Sequence, residues 1–371
     1  MSWNWQLPGW PNFSFETDRI IGMERQFLLK IGSSTAYLKN IDQNEYHQFV
    51  VEILSQEGSG SSKIEGELLD RESLQSSIKR HFGLITPTKV RGRKESLMAD
   101  LLCDVYETFH LPLSHEMLWR WHAMLFDDQA HLDDKGKYRT HPEPMQIISN
   151  RYDKPTVFFE APPSAKVFDE MTAFISWFNS IKETGTILGH VAIAHVYFES
   201  IHPFEDGNGR IGRALIEKLL SQYAGRPVLI AVSKVLEESR KEYYAALGTC
   251  NRTLDANTWV EFFSQAVLQA MEQSGNFLHF LLEKSKLMNR LTAQINPREE
   301  KALMRMFECG IEGFQGGMSA ENYIKITKAS RATATRDLTH LVELGALVKT
   351  GELKYTRYWL SFTVKDEKGM R

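Results

Sequence analysis

The sequence has 371 residues, a formal net charge of −3 and an ordinary globular composition, 42% hydrophobic and 25% charged, so two or three domains are expected and collagen-like or disordered chains are excluded. No global excess of positive charge advertises nucleic acid or an anionic membrane, so any such contact has to be local. Cys103, Cys250 and Cys309 form neither a disulfide framework nor a C-x-x-C metal pattern, and neither a secretory leader nor a long apolar run is visible, so a cytoplasmic protein without a membrane partner is expected.

Gly, Ser and Pro clusters divide the chain into three regions, 1–90, 91–290 and 291–371. The first opens with Trp3, Trp5 and Trp10, which are expected to pack onto a larger body. It continues with a helix near 43–57, a break at Gly58-Ser59-Gly60 and a short helix over about 59–66. The second region reads as helices near 95–109, 114–126, 164–181, 186–201, 209–223, 236–249 and 256–286. Within it, two β-prone runs, 145–148 and 156–159, flank the turn-rich residues 150–153 and predict a hairpin. Two strands among helices suit a flap over a site, with an edge free to accept an extended segment.

The third region predicts helices near 298–309, 319–326 and 330–344, then two strands around Gly351, which is the element order of a winged helix. Ser330 is a plausible N-cap and Gly345 a C-terminal stop for the third helix. Lys325, Lys328, Arg331, Arg336, Lys349, Lys354 and Arg357 give residues 297–362 a modest basic patch. That patch suits weak or specific DNA contact. Protein docking or a homodimer would use the same module equally well.

The chemistry concentrates between residues 187 and 223. Residues 187–201 are apolar on nearly every face of a helix, which predicts a buried central helix. On that helix His190 and His195 read as core histidines, not metal ligands. The helix stops at His202-Pro203, and Gly207-Asn208-Gly209 leads into a second helix whose apolar stripe is Ile211, Leu215, Ile216, Leu219 and Leu220. Glycines at a helix N-terminus let several backbone N–H groups converge on an anion. Arg210 and Arg213, one turn apart, add two guanidinium forks suited to phosphate oxygens. Asp206 is a hard oxygen ligand for Mg²⁺ beside them, and His202 can accept a proton from an incoming hydroxyl. Together these groups describe nucleotidyl or phosphoryl transfer to an alcohol.

The run HPFEDGNGRIGR resembles the Fic signature HPFxDGNGRxxR at every specified position. The resemblance, which covers roughly residues 91–285, implies a Fic-type helical core with a β-hairpin flap; with the element order of the third region it makes a mostly α fold that ends in a small winged helix-turn-helix C-terminal domain. It also implies transfer of AMP from Mg·ATP to a Ser, Thr or Tyr hydroxyl of a protein target, which can be the protein itself. In these terms His202 is the general base, Phe204 a core anchor and Asp206 the metal ligand. Gly207, Asn208 and Gly209 form the anion hole, while Arg210 and Arg213 hold the distal phosphates. Tyr243, Tyr244 and Asn251 fall where the family has residues around the adenine. Residues 61–66, SSKIEG, resemble the family's inhibitory motif [S/T]xxxE[G/N], which implies that Ser61, Glu65 and Gly66 form a brake in which Glu65 pairs with Arg213. The alternatives are a DNA-binding regulator that senses nucleotide through this domain, and an enzyme that removes AMP.

Overall fold

The helix over Ile187–Ile201 (α7) is buried on almost every side, as its largely apolar sequence requires, and the helix over Asn208–Ala224 (α8) packs along it. Around this pair the computed structural model describes residues 2–38, 41–85, 92–126, 132–148, 156–180, 185–311 and 313–362. The chain divides into two units, Met1–Ser274 and Gly275–Arg371.

The first unit begins with a 3-10 turn over Asn4–Gln6, then α1 (Ile21–Leu38), α2 (Gln43–Ile64), α3 (Arg71–His81), α4 (Arg93–Thr108) and α5 (His115–Leu125). A hairpin follows, β1 (Gln146–Ile148) paired antiparallel with β2 (Val157–Glu160), its register pairing Ile147 with Phe159. The turn expected at 150–153 lies outside the described residues. Next come α6 (Ser164–Ser180), α7, α8, α9 (Val232–Glu238), α10 (Arg240–Thr249) and the start of α11 (Asn257–Leu291). Trp259 on α11 is fully buried and donates its indole N–H to the Ala192 carbonyl, which ties the start of that helix to the central one.

The structure corrects three expectations. Residues 236–249 form two helices, because the chain turns at Ser239. Helices α1 and α3 were not anticipated: α1 leaves Leu28 and Leu29 exposed, and α3 buries only Leu74, Ser77 and Ile78, so neither carries a strong apolar stripe. Most consequentially, Gly58-Ser59-Gly60 is no break, because α2 runs unbroken from its N-cap Asp42 to Ile64. The glycines serve packing. A Cβ on Gly60 would stand 2.6 Å from the backbone nitrogen of Lys234, where α9 crosses, and one on Gly58 would stand 2.7 Å from Leu102 Cδ1. Backbone cannot give way as a flexible side chain can. Gly60→Ala is therefore expected to cost about 1–3 kcal/mol of stability, read as a lower urea midpoint, although alanine is the better helix former.

In the second unit α12 (Pro297–Phe307) starts in a capping box made by Asn296 and Glu299, followed by α13 (Ala320–Thr327) and α14 (Arg331–Glu343). Strands β3 (Leu347–Thr350) and β4 (Arg357–Leu360) pair antiparallel, and Met318 bridges to Tyr358. Asp337, nearly fully buried, accepts from Arg298 Nε at 3.0 Å and from the Tyr323 hydroxyl at 2.9 Å, which joins all three helices. Arg298 holds the Asp337 carboxyl below its usual range despite the burial. Among the described residues no helix is long and apolar enough to cross a membrane.

Candidate active site

His202 ends α7 in the left-handed conformation, at φ 49°, which turns the chain sharply into the loop. Its backbone is held from behind. Arg139, nearly fully buried, donates from Nε to the His202 carbonyl at 2.9 Å and from Nη2 to that of Pro162, while its own amide donates to the Pro203 carbonyl. Phe204 is fully buried and stacks on His122, ring centroids 4.3 Å apart. His122 accepts from the Gly136 amide at Nδ1, so its Nε2 carries the proton that reaches the Asp206 carbonyl at 3.2 Å. Burial holds the His122 pKa down, to about 4, so this buttress is uncharged at neutral pH.

The Asn208 side chain turns inward, accepting from the Phe204 amide and donating to the Phe204 carbonyl, and so staples the loop across four residues. With its side chain engaged inward, Asn208 is left to offer an anion chiefly its backbone amide. Gly207, at φ 80°, caps α8, and the first amides of that helix have no acceptor within it. The Gly207 amide itself donates to Asp206 Oδ1 at 2.6 Å.

His202, Gly209 and Arg213 line one cavity of about 850 Å³, with Ile147, Ile148, Phe158 and Phe159 of the hairpin on its rim. The His202 pKa is pushed down to about 4, by burial first and by the Arg139 charge second, so the imidazole is neutral at pH 7. Its Nδ1 lies 3.4 Å from the Glu199 carbonyl oxygen. A carbonyl can only accept, so this contact requires the proton on Nδ1 and leaves Nε2 as the basic nitrogen. The Glu199 carboxyl, 3.8 Å from the same ring through Oε2, is pushed up to about 8 by burial, with Arg213 opposing.

Arg213 is buried, donating from Nε to Ser61 Oγ and from Nη2 to the Ser61 carbonyl, each at 2.9 Å, and from Nη2 to Glu65 Oε1 at 2.7 Å. Burial works against the Arg213 charge, and the Glu65 carboxylate more than restores it. Glu65 is the C-terminal cap of α2, and its Oε1 occupies the space where a side chain on Gly209 would sit, 2.1 Å from such a Cβ. Gly66 follows at φ 83°, the left-handed turn that releases the chain from the helix.

The two arginines do not share a recess. Arg210 lines a neighbouring one of about 550 Å³ with Asp206, Glu67 and Phe126, and Glu65 lines both. Arg210 stands 3.3 Å from Glu67 and 3.6 Å from Asp206, and Glu67 also takes Lys94 at 2.5 Å. The Asp206 side chain is 62% exposed, and one open carboxylate beside an anion site is a donor set that fits Mg²⁺, which takes few protein ligands and fills its shell with water and phosphate. Among the described residues no cluster of three or more His, Cys, Asp and Glu could hold a metal alone.

Tyr243 and Tyr244 part ways. Tyr243 is buried, its hydroxyl 2.9 Å from His195 Nε2, and it meets the cavity only from behind, whereas Tyr244 is 44% exposed on the rim. Asn251 donates from Nδ2 to the Phe158 carbonyl at 3.1 Å and so ties the hairpin to the turn after α10. His195 sits in the core, stacked near Trp259, with its pKa held down to about 3 by burial. Sequence reasoning missed Arg139, His122 and Glu199. Only Glu199 left a signal, as a carboxylate on an otherwise apolar helix three residues before His202.

A sequence model of the Fic/DOC family matches residues 112–220, and one described as a domain of unknown function, DUF4172, matches residues 3–84. Protein adenylyltransferase fic-1 of Caenorhabditis elegans is 27% identical over 197 residues, covering 51% of this chain and 35% of that protein. Protein adenylyltransferase Fic of Drosophila melanogaster is 32% identical over 104 residues, covering 28% and 20%. The matched region thus spans about a third or less of the length of these curated relatives. Among solved structures, a Fic family protein from Desulfovibrio desulfuricans G20 superposes with a TM-score of 0.58 at 21% identity, covering 97% of this chain and 99% of that one. A Fic domain containing signaling protein from Bacteroides thetaiotaomicron VPI-5482 gives 0.52 at 19%, covering 68% and 95%. At these identities the likeness is one of fold. The chain therefore carries a Fic/DOC domain within a mostly helical fold that it shares with solved Fic-family proteins.

Proposed function

We propose that this chain transfers AMP from ATP to a Ser, Thr or Tyr hydroxyl of a protein, itself included, and that Glu65 holds the reaction in check. The observation that carries this reading is a single cavity lined by a neutral His202, by Gly209 in the first turn of α8 and by the buried Arg213, with the exposed hairpin on its rim. Relatives named protein adenylyltransferases support the reaction class.

In this reading the α8 amides and Arg213 receive the polyphosphate, and the Tyr244 and Asn251 rim receives the base, with Tyr243 backing it. His202 Nε2 takes the acceptor's hydroxyl proton. The acceptor oxygen then bonds to the α-phosphorus, and the bond from that phosphorus to the oxygen bridging the β-phosphate breaks, releasing pyrophosphate. Mg²⁺, when bound at Asp206, would supply positive charge to the phosphates. The inhibitory part rests on the Glu65–Arg213 hydrogen bond, which occupies the guanidinium that the phosphates need, with Ser61 and Gly66 fixing the end of α2.

With Mg²⁺ present, label from α-labelled ATP is expected on protein and label from γ-labelled ATP is not; the reverse pattern would establish phosphorylation instead. Because the base is neutral down to about pH 4, the rate of a Glu65→Gly enzyme is expected to stay level on its acid side from pH 7 to 5 and to fall only as His202 protonates near 4. A fall centred near 6.5 would show that the imidazole is not shielded in the working enzyme.

We read residues 291–371 as a winged-helix module, after an extension over 1–90 and a catalytic domain over 91–290. Three helices followed by an antiparallel hairpin support this, as do Lys325, Lys328, Arg331, Arg336 and Lys349 on or beside them. DNA and a docked protein or second copy are equally compatible partners for it, and the salt dependence of duplex binding tells them apart.

A further inference from the structure

Residues 3–84 match a family of unknown function, and their first turn reaches three walls of the cavity at once. Trp3 packs edge-on against Phe159 of β2, centroids 5.4 Å apart, in a small core with Ala161, Trp5 and Met145. The guanidinium of Arg252 lies over the Trp3 ring. Asn4, fully buried, donates from Nδ2 to Ser200 Oγ at 2.8 Å, two residues before His202. Trp5 donates from Nε1 to the Glu160 carbonyl at 2.7 Å. Phe159, Ser200 and Arg252 all line the cavity. Farther along, Trp10 bonds to Glu170, and Ser14 forms a bridge with Asp255 at the entry to α11, so this strap is anchored at both ends.

These contacts have one effect in common. Two carbonyls of β2 are occupied, that of Phe158 by Asn251 and that of Glu160 by Trp5, while every residue of β1 is exposed. A two-stranded hairpin is marginal by itself, so what fixes its distance from His202 must lie outside it. We infer that Trp3, Asn4 and Trp5 are positioning residues for transfer, setting the hairpin and the His202 end of α7 at a fixed spacing across the cavity. This rests on the AMP-transfer reading above. The strap contributes no group to the reaction; it governs how well an acceptor held by the hairpin meets the basic nitrogen.

The test uses the full-length Glu65→Gly protein, Mg²⁺, α-labelled ATP and the protein itself as acceptor. Trp3→Ala is expected to speed amide exchange at 145–148 and 156–160 about tenfold and to lower protein-bound label about tenfold. Binding of a fluorescent ATP analogue and release of free AMP to water should each stay within about twofold, because the α8 amides and Arg213 that receive the phosphates belong to elements other than the hairpin, which among the described residues is hydrogen-bonded to the base rim only through Asn251. Trp3→Phe should restore both hairpin protection and labelling. Label and free AMP falling together would make Trp3 a general stabiliser and overturn the inference, as would unchanged hairpin exchange or a loosened hairpin with undiminished labelling. Absence of label from the Glu65→Gly parent would instead defeat the AMP-transfer reading, and the strap would then stand or fall on hairpin exchange alone.

Discussion

Replacing Glu65 with glycine is expected to raise AMP transfer roughly 10- to 100-fold. A hydrogen bond between charged groups is worth about 1.5–3 kcal/mol, and tenfold in rate is about 1.4 kcal/mol, so freeing Arg213 for phosphate yields that range. Geometry adds a second contribution. Glu65 lines both the recess that holds His202 and Arg213 and the one that holds Asp206 and Arg210, so its removal opens the wall between the two halves of the site. The gain should appear in kcat as well as in KM for ATP, because Arg213 would orient phosphates that are otherwise held out of line. Its guanidinium keeps both Ser61 contacts after the substitution, so the arginine should remain ordered and the fold intact. An unchanged rate in a folded variant would remove the inhibitory role and leave the 2.7 Å pair as a structural contact only.

The loop from His202 to Arg213 was legible because its parts are adjacent in sequence, and local geometry alone gathers a helix stop, a glycine turn and a helix start. The apolar helix α7 was legible for the same reason: burial on all sides leaves no polar stripe to misread. What escaped depends on contacts between distant residues. Asn4 meets Ser200 across 196 positions and Arg139 meets His202 across 63, and no periodicity encodes either. Glycine in α2 was ambiguous in principle. The same residue breaks a helix or lets another backbone approach, and only the crossing of α9 at Ser233 and Lys234 decides. Tyr243 and Tyr244 show the limit most simply. Neighbours on a helix point about 100° apart, so one entered the core against His195 while the other reached the rim.

His202→Asn in the Glu65→Gly background is expected to lower transfer by about 10²- to 10⁴-fold, the usual worth of a general base. Asparagine is the better probe than alanine. Position 202 has φ 49°, which asparagine tolerates and alanine resists, so a loss of activity with asparagine cannot be charged to a strained loop. Arg139 holds the backbone of residue 202 and not its side chain, so the loop should keep its course and ATP binding should be unchanged. The loss should therefore fall on kcat. A protein that only senses nucleotide needs the α8 amides and Arg213 but no base, so it would keep its nucleotide response in this variant. Undiminished transfer would be the more damaging result: with Nε2 gone, no other neutral nitrogen base lines the cavity among the described residues, and proton removal would have to be assigned to Glu199, whose carboxyl is protonated below about pH 8. Transfer that then rose with pH through 8 would identify that carboxylate as the base.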